Sequence, residues 1–282
     1  MKTISSHDLC RQITSCDLPE GQIALWSLGQ VGFVIKSSQA QASFAIDPYL
    51  TDSIESSNPG TEFVRAFPPP LDPENLSLVD IVFVTHEHDD HLDPSTISRA
   101  LAAKPELKVV APAALVKKIR SFVPEATVVG AQEGQAFEIG GLKVLPLAAA
   151  HPVPELDQEG RSLRLGYLIE INGCTVFHAG DTYVFDGLCD ALKPICPDVM
   201  ILPINGGDYF RSRRNIVANM NYREAADLAA LVGCDLLVPS HFDLFPNNRD
   251  RPSFFVDYLL EQHSEVKFHM FTVGERFIYQ KK

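Results

Sequence analysis

The sequence predicts an α/β protein, and three observations carry that expectation. Short apolar, β-branched runs recur along all 282 residues. Amphipathic helical segments lie between them, and the two kinds alternate with no all-helical or all-strand block. With 45% hydrophobic and 21% charged residues the composition is that of an ordinary globular chain, and residues 1–282 read as a single domain. The longest apolar runs are strand-length, so no membrane span is expected. Residues 1–8 hold no apolar stretch of the kind a secretory leader needs. Six scattered cysteines without a Cys-x-x-Cys pair argue against a zinc knuckle or a disulfide framework, and a cytoplasmic home follows. A formal net charge of −12 disfavours a nucleic-acid partner. Oligomeric state is not legible, and a homo-oligomer is left open.

In chain order, apolar runs predict strands over 23–26, 32–35 and 43–46. Residues 51–74 carry Pro59, Pro68, Pro69, Pro70 and Pro73 and read as a long loop, either a lid or a plain surface excursion. A buried strand is expected over 81–84. Asp93-Pro94 then supplies an N-cap and a proline at the first helical position, opening a helix that covers 96–103. A strand over 108–111, a helix over 113–122 and strands over 126–129, 142–147, 166–171, 174–177 and 199–202 follow. Asn221 caps a helix over 222–232 that closes near Gly233. A strand over 236–238 and a helix over 253–262 complete the chain. No sequence repeat is visible.

The chemistry concentrates in Thr85-His86-Glu87-His88-Asp89-Asp90-His91. His86, His88, Asp90 and His91 put three imidazoles and a carboxylate within six residues, all good donors to a borderline-soft divalent ion. The run sits between a strand and a capped helix, so it is a tight loop held from both sides rather than a solvated turn. Four ligands from one loop cannot enclose two ions. Three further donors follow strands: His151, Asp181 in His178-Ala179-Gly180-Asp181-Thr182, and His241 after Pro239-Ser240. Each can therefore reach one edge of a sheet, where α/β proteins tend to place sites.

The His-x-His-x-Asp-His run, the lone His151, the Gly-Asp-Thr and the Ser-His together resemble the metallo-β-lactamase-fold hydrolases, over nearly the whole chain. That resemblance implies a four-layer αββα sandwich and two divalent ions, Zn2+ or Mn2+, with iron possible. It implies that His86, His88 and His151 hold one ion and Asp90, His91 and His241 the other, with Asp181 bridging. Leu25-Trp26-Ser27-Leu28-Gly29-Gln30, Ile46-Asp47-Pro48-Tyr49, Leu202-Pro203-Ile204-Asn205-Gly206 and Pro239-Ser240-His241-Phe242-Asp243 further resemble the branch that contains L-ascorbate-6-phosphate lactonase. Related phosphodiesterases share that branch.

Outside the ligands the signals are weaker. Asp47, ending a strand, reads either as a carboxylate orienting a ligand imidazole or as a loop cap. His178 reads as a hydrogen-bonded core histidine, and Glu87 and Asp89 as groups behind the ligands or in solvent. Arg211, Arg213 and Arg214 place three guanidiniums in four residues of an acidic chain. Such a run is usually a solvated loop, but it follows a strand end, and arginine suits capture of phosphate or carboxylate. Asn205, Asn219 and Gln30 are further pocket candidates.

Two divalent ions roughly 3.5–4 Å apart can share a hydroxide at neutral pH, so Asp181 and Asp90 are the expected catalytic carboxylates beside them. The expected activity is a lactonase acting on a small anionic sugar lactone such as L-ascorbate 6-phosphate. A phosphodiesterase or nuclease on the same centre is the alternative, and a non-catalytic metal-binding protein is a second. The ligands alone do not choose among these.

Overall fold

The computed structural model describes residues 4–38 and 41–282. Residues 1–3, the start of the stretch read for a leader, lie outside the described residues. Each predicted strand is present, shifted at its ends by up to three residues. The first sheet uses β1 (Gln22–Gly29), β2 (Gly32–Lys36), β3 (Phe44–Ile46), β4 (Ile81–Phe83), β5 (Lys108–Pro112) and β6 (Thr127–Ala131). The second runs through β7 (Phe137–Ile139), β8 (Leu142–Ala148), β9 (Leu165–Ile171), β10 (Cys174–His178), β11 (Val199–Pro203), β12 (Leu236–Ser240) and β13 (Lys267–Phe268). The last strand, β14 (Arg276–Gln280), crosses back to pair with β1, giving orders β14-β1-β2-β3-β4-β5-β6 and β7-β8-β9-β10-β11-β12-β13.

Both sheets show the same sequence of pairings across their width, three antiparallel and then three parallel. A structural repeat is thus present where no sequence repeat could be read. Backbone pairing depends on strand direction and apolar pattern, not on residue identity.

The period of two in a strand explains the layering. In β1, Ile23 and Leu25 enter the core between the sheets, whereas Ala24, Trp26 and Leu28 face the helices outside. In β4, Ile81 and Phe83 point inward and Val82 points outward. In β11, Val199 and Ile201 share the inner core, while Met200 and Leu202 meet the helices of the other side. Strands covered on both faces must be apolar throughout, which is why they were visible as continuous runs. Helices α1 (Ser6–Thr14), α3 (Pro94–Ala103) and α4 (Val116–Phe122) cover the first sheet. Helices α5 (Asp186–Leu192), α7 (Tyr222–Val232) and α8 (Pro252–Gln262) cover the second, and the four-residue α6 (Tyr209–Ser212) lies between α5 and α7 in the chain. The result is the expected αββα order.

The predicted caps form. Asp93 accepts from the backbone N–H of Ser95 and Thr96, with Pro94 in the first turn. Asn221 and Glu224 close a capping box on α7, which ends at Gly233 in the left-handed region. Two expectations change. Residues 113–122 split into a 3-10 turn (Ala113–Leu115) and α4. The 51–74 segment is not bare loop: it forms the short α2 (Ser53–Ser57) and reaches a 3-10 helix at Pro73–Leu78. Arg65 holds this segment together, donating to the carbonyls of Tyr49, Thr51 and Phe67. No helix among the described residues is long and apolar enough to cross a membrane.

Candidate metal centre

Every histidine and carboxylate singled out as a ligand follows the C-terminal end of a strand at one rim of the sandwich. His86, His88, Asp90 and His91 follow β4, His151 follows β8, Asp181 follows β10 and His241 follows β12. Their ligating atoms converge into two groups. One holds His86, His88, His151 and Asp181, the other Asp90, His91 and His241, with all donor atoms of a group within 4.8 Å of one another. Asp181 reaches both. Its Oδ2 lies 3.6 Å from His151 Nε2 and 3.4 Å from His241 Nε2, and its Oδ1 lies 3.4 Å from His91 Nε2.

The backbone at this rim is under constraint. Gln30, Asp47 and His241 all have positive φ, at 57°, 43° and 59°, an arrangement costly for non-glycine residues and concentrated at functional positions. Gly180, at φ +60°, lets the turn before Asp181 press against the β4 loop, since a Cβ there would stand 2.7 Å from Thr85 Cβ. His178 has the structural role expected of it. Its Nε2–H donates to the Val31 carbonyl at 2.8 Å and its Nδ1 accepts from Gly180 N–H at 3.1 Å, so it props the same turn.

Hydrogen bonds behind the ligands fix which ring nitrogens face the centre. Asp47 accepts from Thr85 N–H (2.8 Å), Thr85 Oγ1 (2.6 Å) and His91 Nδ1 (2.8 Å), which leaves His91 Nε2 as the inward atom. His151 Nδ1 sits 3.1 Å from the Ala218 carbonyl, and Gln30 Nε2 donates to Asp90 Oδ2 at 2.8 Å. Thr85 and Asp243, which accepts from Gln30 N–H at 2.8 Å, were not singled out in the sequence. Their only sequence signal is adjacency to the ligand motifs.

The electrostatics describe a cavity made for cations. Burial lowers the pKa of His91, but the carboxylates of Asp181, Asp90 and Asp47 outweigh it and hold the ring well above its ordinary value. Burial would raise Asp181, yet His241 and His91 draw it well below the usual carboxylate range. His151 is pushed down to about 4, chiefly by burial. His91 Nε2 and Asp181 Oδ1 are buried with no hydrogen-bond partner among the described residues. Orphaned polar atoms are costly, and here the two stand 3.4 Å apart. Five imidazoles and two carboxylates with such unsatisfied atoms fit a divalent metal, by donor type and by placement.

The weaker candidates fall elsewhere. Arg211 is bound to Asp208 and to the Asn205 carbonyl, and Arg214 pairs with Glu62 of the 51–74 segment. Neither arginine, nor Arg213, lines the open cavity of about 220 Å3 above the ligands. Ile54, Phe63, Ile216, Val217, Phe245 and Asn248 do. Asn205 and Asn219 are buried beneath the wall, joined by an Asn219 Nδ2 to Asn205 Oδ1 bond of 3.1 Å. Asp89 lines the cavity, whereas Glu87 pairs with the buried Arg164 at 2.9 Å.

Comparison with known proteins gives a consistent answer. The family described as beta-lactamase superfamily domain matches residues 44–242. A UPF0173 metal-dependent hydrolase of Pyrococcus horikoshii is 30% identical over 78% of this chain and 84% of its own length. One from Myxococcus xanthus is 29% identical over 87% and 79%. Among solved structures, a metallo hydrolase from Ignicoccus hospitalis has a TM-score of 0.67 at 24% identity, covering 93% of this chain and all (100%) of that one. An isothiocyanate hydrolase from Delia radicum gut bacteria has a TM-score of 0.69 at 19% identity over 91% and 99%. At these identities the structures speak to the fold alone.

Proposed function

The chain belongs to the beta-lactamase superfamily domain family and is a metal-dependent hydrolase like its UPF0173 relatives, and on that premise we propose that it opens a small, uncharged lactone or carboxylic ester. The observation that carries this reading is the cavity wall. It is apolar at Ile54, Phe63, Ile216, Val217 and Phe245, and no lysine or arginine among the described residues lines it. An anionic sugar lactone such as L-ascorbate 6-phosphate drew its support from the motif resemblance and from Arg211, Arg213 and Arg214. With Arg211 and Arg214 engaged elsewhere, a neutral acyl substrate fits better. A phosphodiester, also anionic, loses ground for the same reason.

His86, His88 and His151 would hold one ion and Asp90, His91 and His241 a second, with Asp181 facing both. When bound, Zn2+, Mn2+ or iron supplies Lewis-acid polarisation of the acyl oxygen and water with a pKa near about 7. The remaining work belongs to the chain. Asp47 and the Ala218 carbonyl fix the tautomers of His91 and His151, so their inward nitrogens stay available. Gln30 pins Asp90. Asp90, which lines the cavity, is the carboxylate assigned to take the proton released by the attacking water and to hand it to the departing alcohol oxygen. The apolar wall excludes bulk water and orders the substrate's hydrocarbon part.

The test is a hydrolysis panel with metal-reconstituted protein. It contains γ-butyrolactone, p-nitrophenyl acetate, a phosphorylated sugar lactone, bis(p-nitrophenyl) phosphate and phenethyl isothiocyanate, the last because a solved neighbour is an isothiocyanate hydrolase. The neutral lactone and ester are expected to be turned over at least about tenfold more efficiently than the anionic compounds, the net worth of about one hydrogen bond. Preference for the phosphodiester or the phosphorylated lactone overturns the reading.

A further inference from the structure

We propose that the side-chain amide of Asn248 is the substrate-facing hydrogen-bond donor of this cavity, held in orientation by Arg211 and Asn205 to receive an acyl carbonyl oxygen. The inference rests on the hydrolytic reading above and gives it a specificity-determining residue. Asn248 lines the cavity together with His88, His151, Asp181 and His241, although it is only 9% exposed.

The orientation of its amide follows from its neighbours. Asn205 Nδ2 donates to Asn248 Oδ1 at 3.2 Å, and Arg211 Nη1 stands 3.5 Å from the same oxygen. A guanidinium only donates, so the atom facing it is the oxygen, and Nδ2 is turned the other way. Asn205 is itself oriented, because its Oδ1 accepts from Asn219 Nδ2 at 3.1 Å and its backbone carbonyl accepts from Arg211 Nη1 at 2.8 Å. Asn205 and Asn219 are 0% and 1% exposed. A relay of three buried amides and one arginine therefore ends in a single N–H group. Among the described residues Asn248 Nδ2 has no protein acceptor, and unlike Asn219 Oδ1 it is not sealed from solvent.

Further polar atoms behind the cavity wall lack partners among the described residues. Asn219 Oδ1 and both side-chain polar atoms of the adjoining Asn247 are buried without partners. This region holds more hydrogen-bonding capacity than the protein satisfies, and native structures leave few such groups unexplained. A neutral amide donor favours an oxygen acceptor without demanding charge, which matches a wall free of cations. It also explains Arg211: that residue acts through Asn248 as a positioning group and makes no contact with substrate.

The experiment compares native protein with Asn248→Asp, metal-loaded, on γ-butyrolactone and p-nitrophenyl acetate. The carboxylate keeps an acceptor for Arg211 and Asn205 while replacing the inward donor with a second acceptor. Metal content and melting temperature are expected to hold, and kcat/KM to fall about 10- to 100-fold, the effect of leaving one buried polar group facing the wrong partner. Affinity for acetohydroxamic acid, a carbonyl-bearing probe read by calorimetry, is expected to fall by a similar factor. Should Asn248→Asp fail to fold, Asn248→Ala is read the same way. Arg211→Met should show a smaller loss in the same two readouts.

Unchanged kcat/KM and probe affinity in the Asn248 variants overturn the inference, whatever the native substrate proves to be. Native protein that hydrolyses neither ester yet loses probe affinity on Asn248 substitution leaves the donor standing and sinks the ester reading alone. An Arg211→Met variant that changes only melting temperature removes the positioning role.

Discussion

Replacing Asp47 with asparagine removes one oxygen from behind His91 and tests whether that carboxylate sets the metal-facing tautomer. In the native protein the two Asp47 oxygens receive three donors, Thr85 N–H at 2.8 Å, Thr85 Oγ1 at 2.6 Å and His91 Nδ1 at 2.8 Å. Asparagine offers one oxygen and an NH2. Its better orientation keeps the oxygen toward Thr85 Oγ1 and His91 and turns Nδ2 against Thr85 N–H, leaving two buried donors face to face. That conflict costs about 1–3 kcal/mol in the metal-free protein, or roughly 2–10 °C in melting temperature for a chain of this size. Metal affinity should drop separately, by about 10- to 100-fold, because His91 loses the anion that supports its ligating nitrogen. The two effects are separable. Thermal denaturation in chelator reports the first, and competition against a chromogenic chelator at 25 °C, on protein still folded, reports the second. Affinity within about threefold of native, with Asp47→Asn folded, would show that His91 is oriented by something other than this carboxylate.

Gly180→Ala should destabilise by about 2–4 kcal/mol, from left-handed strain plus the 2.7 Å approach to Thr85 Cβ, read by urea denaturation. A loss under about 1 kcal/mol contradicts the close packing of that turn. Exhaustive chelation should abolish turnover and lower the melting temperature, since metal at a hundred times its dissociation constant adds about 2.7 kcal/mol. Identical melting curves with and without chelator remove the metal from the argument. Among the thiols, Cys196 is exposed, whereas burial pushes Cys174 up to about 11 and Cys234 up to about 12. At pH 8 a thiol-reactive dye should therefore modify Cys196 fast and leave Cys174 and Cys234 protonated and slow. Fast modification of Cys174 or Cys234, located by peptide mapping, refutes that ordering.

Much of this protein was legible before any coordinates. Strands buried on both faces advertise themselves as apolar runs, and Asp93-Pro94 and Asn221 mark their helix starts chemically. The elements that escaped notice carry thin signals. In α1 only Leu9 and Ile13 are buried, one turn apart. Strand β14 buries only Tyr279 fully among Arg276–Gln280. In the 51–74 segment the prolines conceal a short helix and the cavity-lining Ile54 and Phe63.

By itself the sequence determined the kinds of donor and their attachment to strand ends, because ligand chemistry and strand periodicity are local properties. Only the tertiary structure decided where the side chains point. Asp208 and Glu62 draw Arg211 and Arg214 away from the cavity they were expected to serve. Asp47, from another strand, turns His91 inward, and Asn205 and Arg211 turn Asn248. Apart from Asp208, three residues before Arg211, these partners act from 152 (Glu62), 44 (Asp47) and 43 (Asn205) residues away, and no local spacing encodes them.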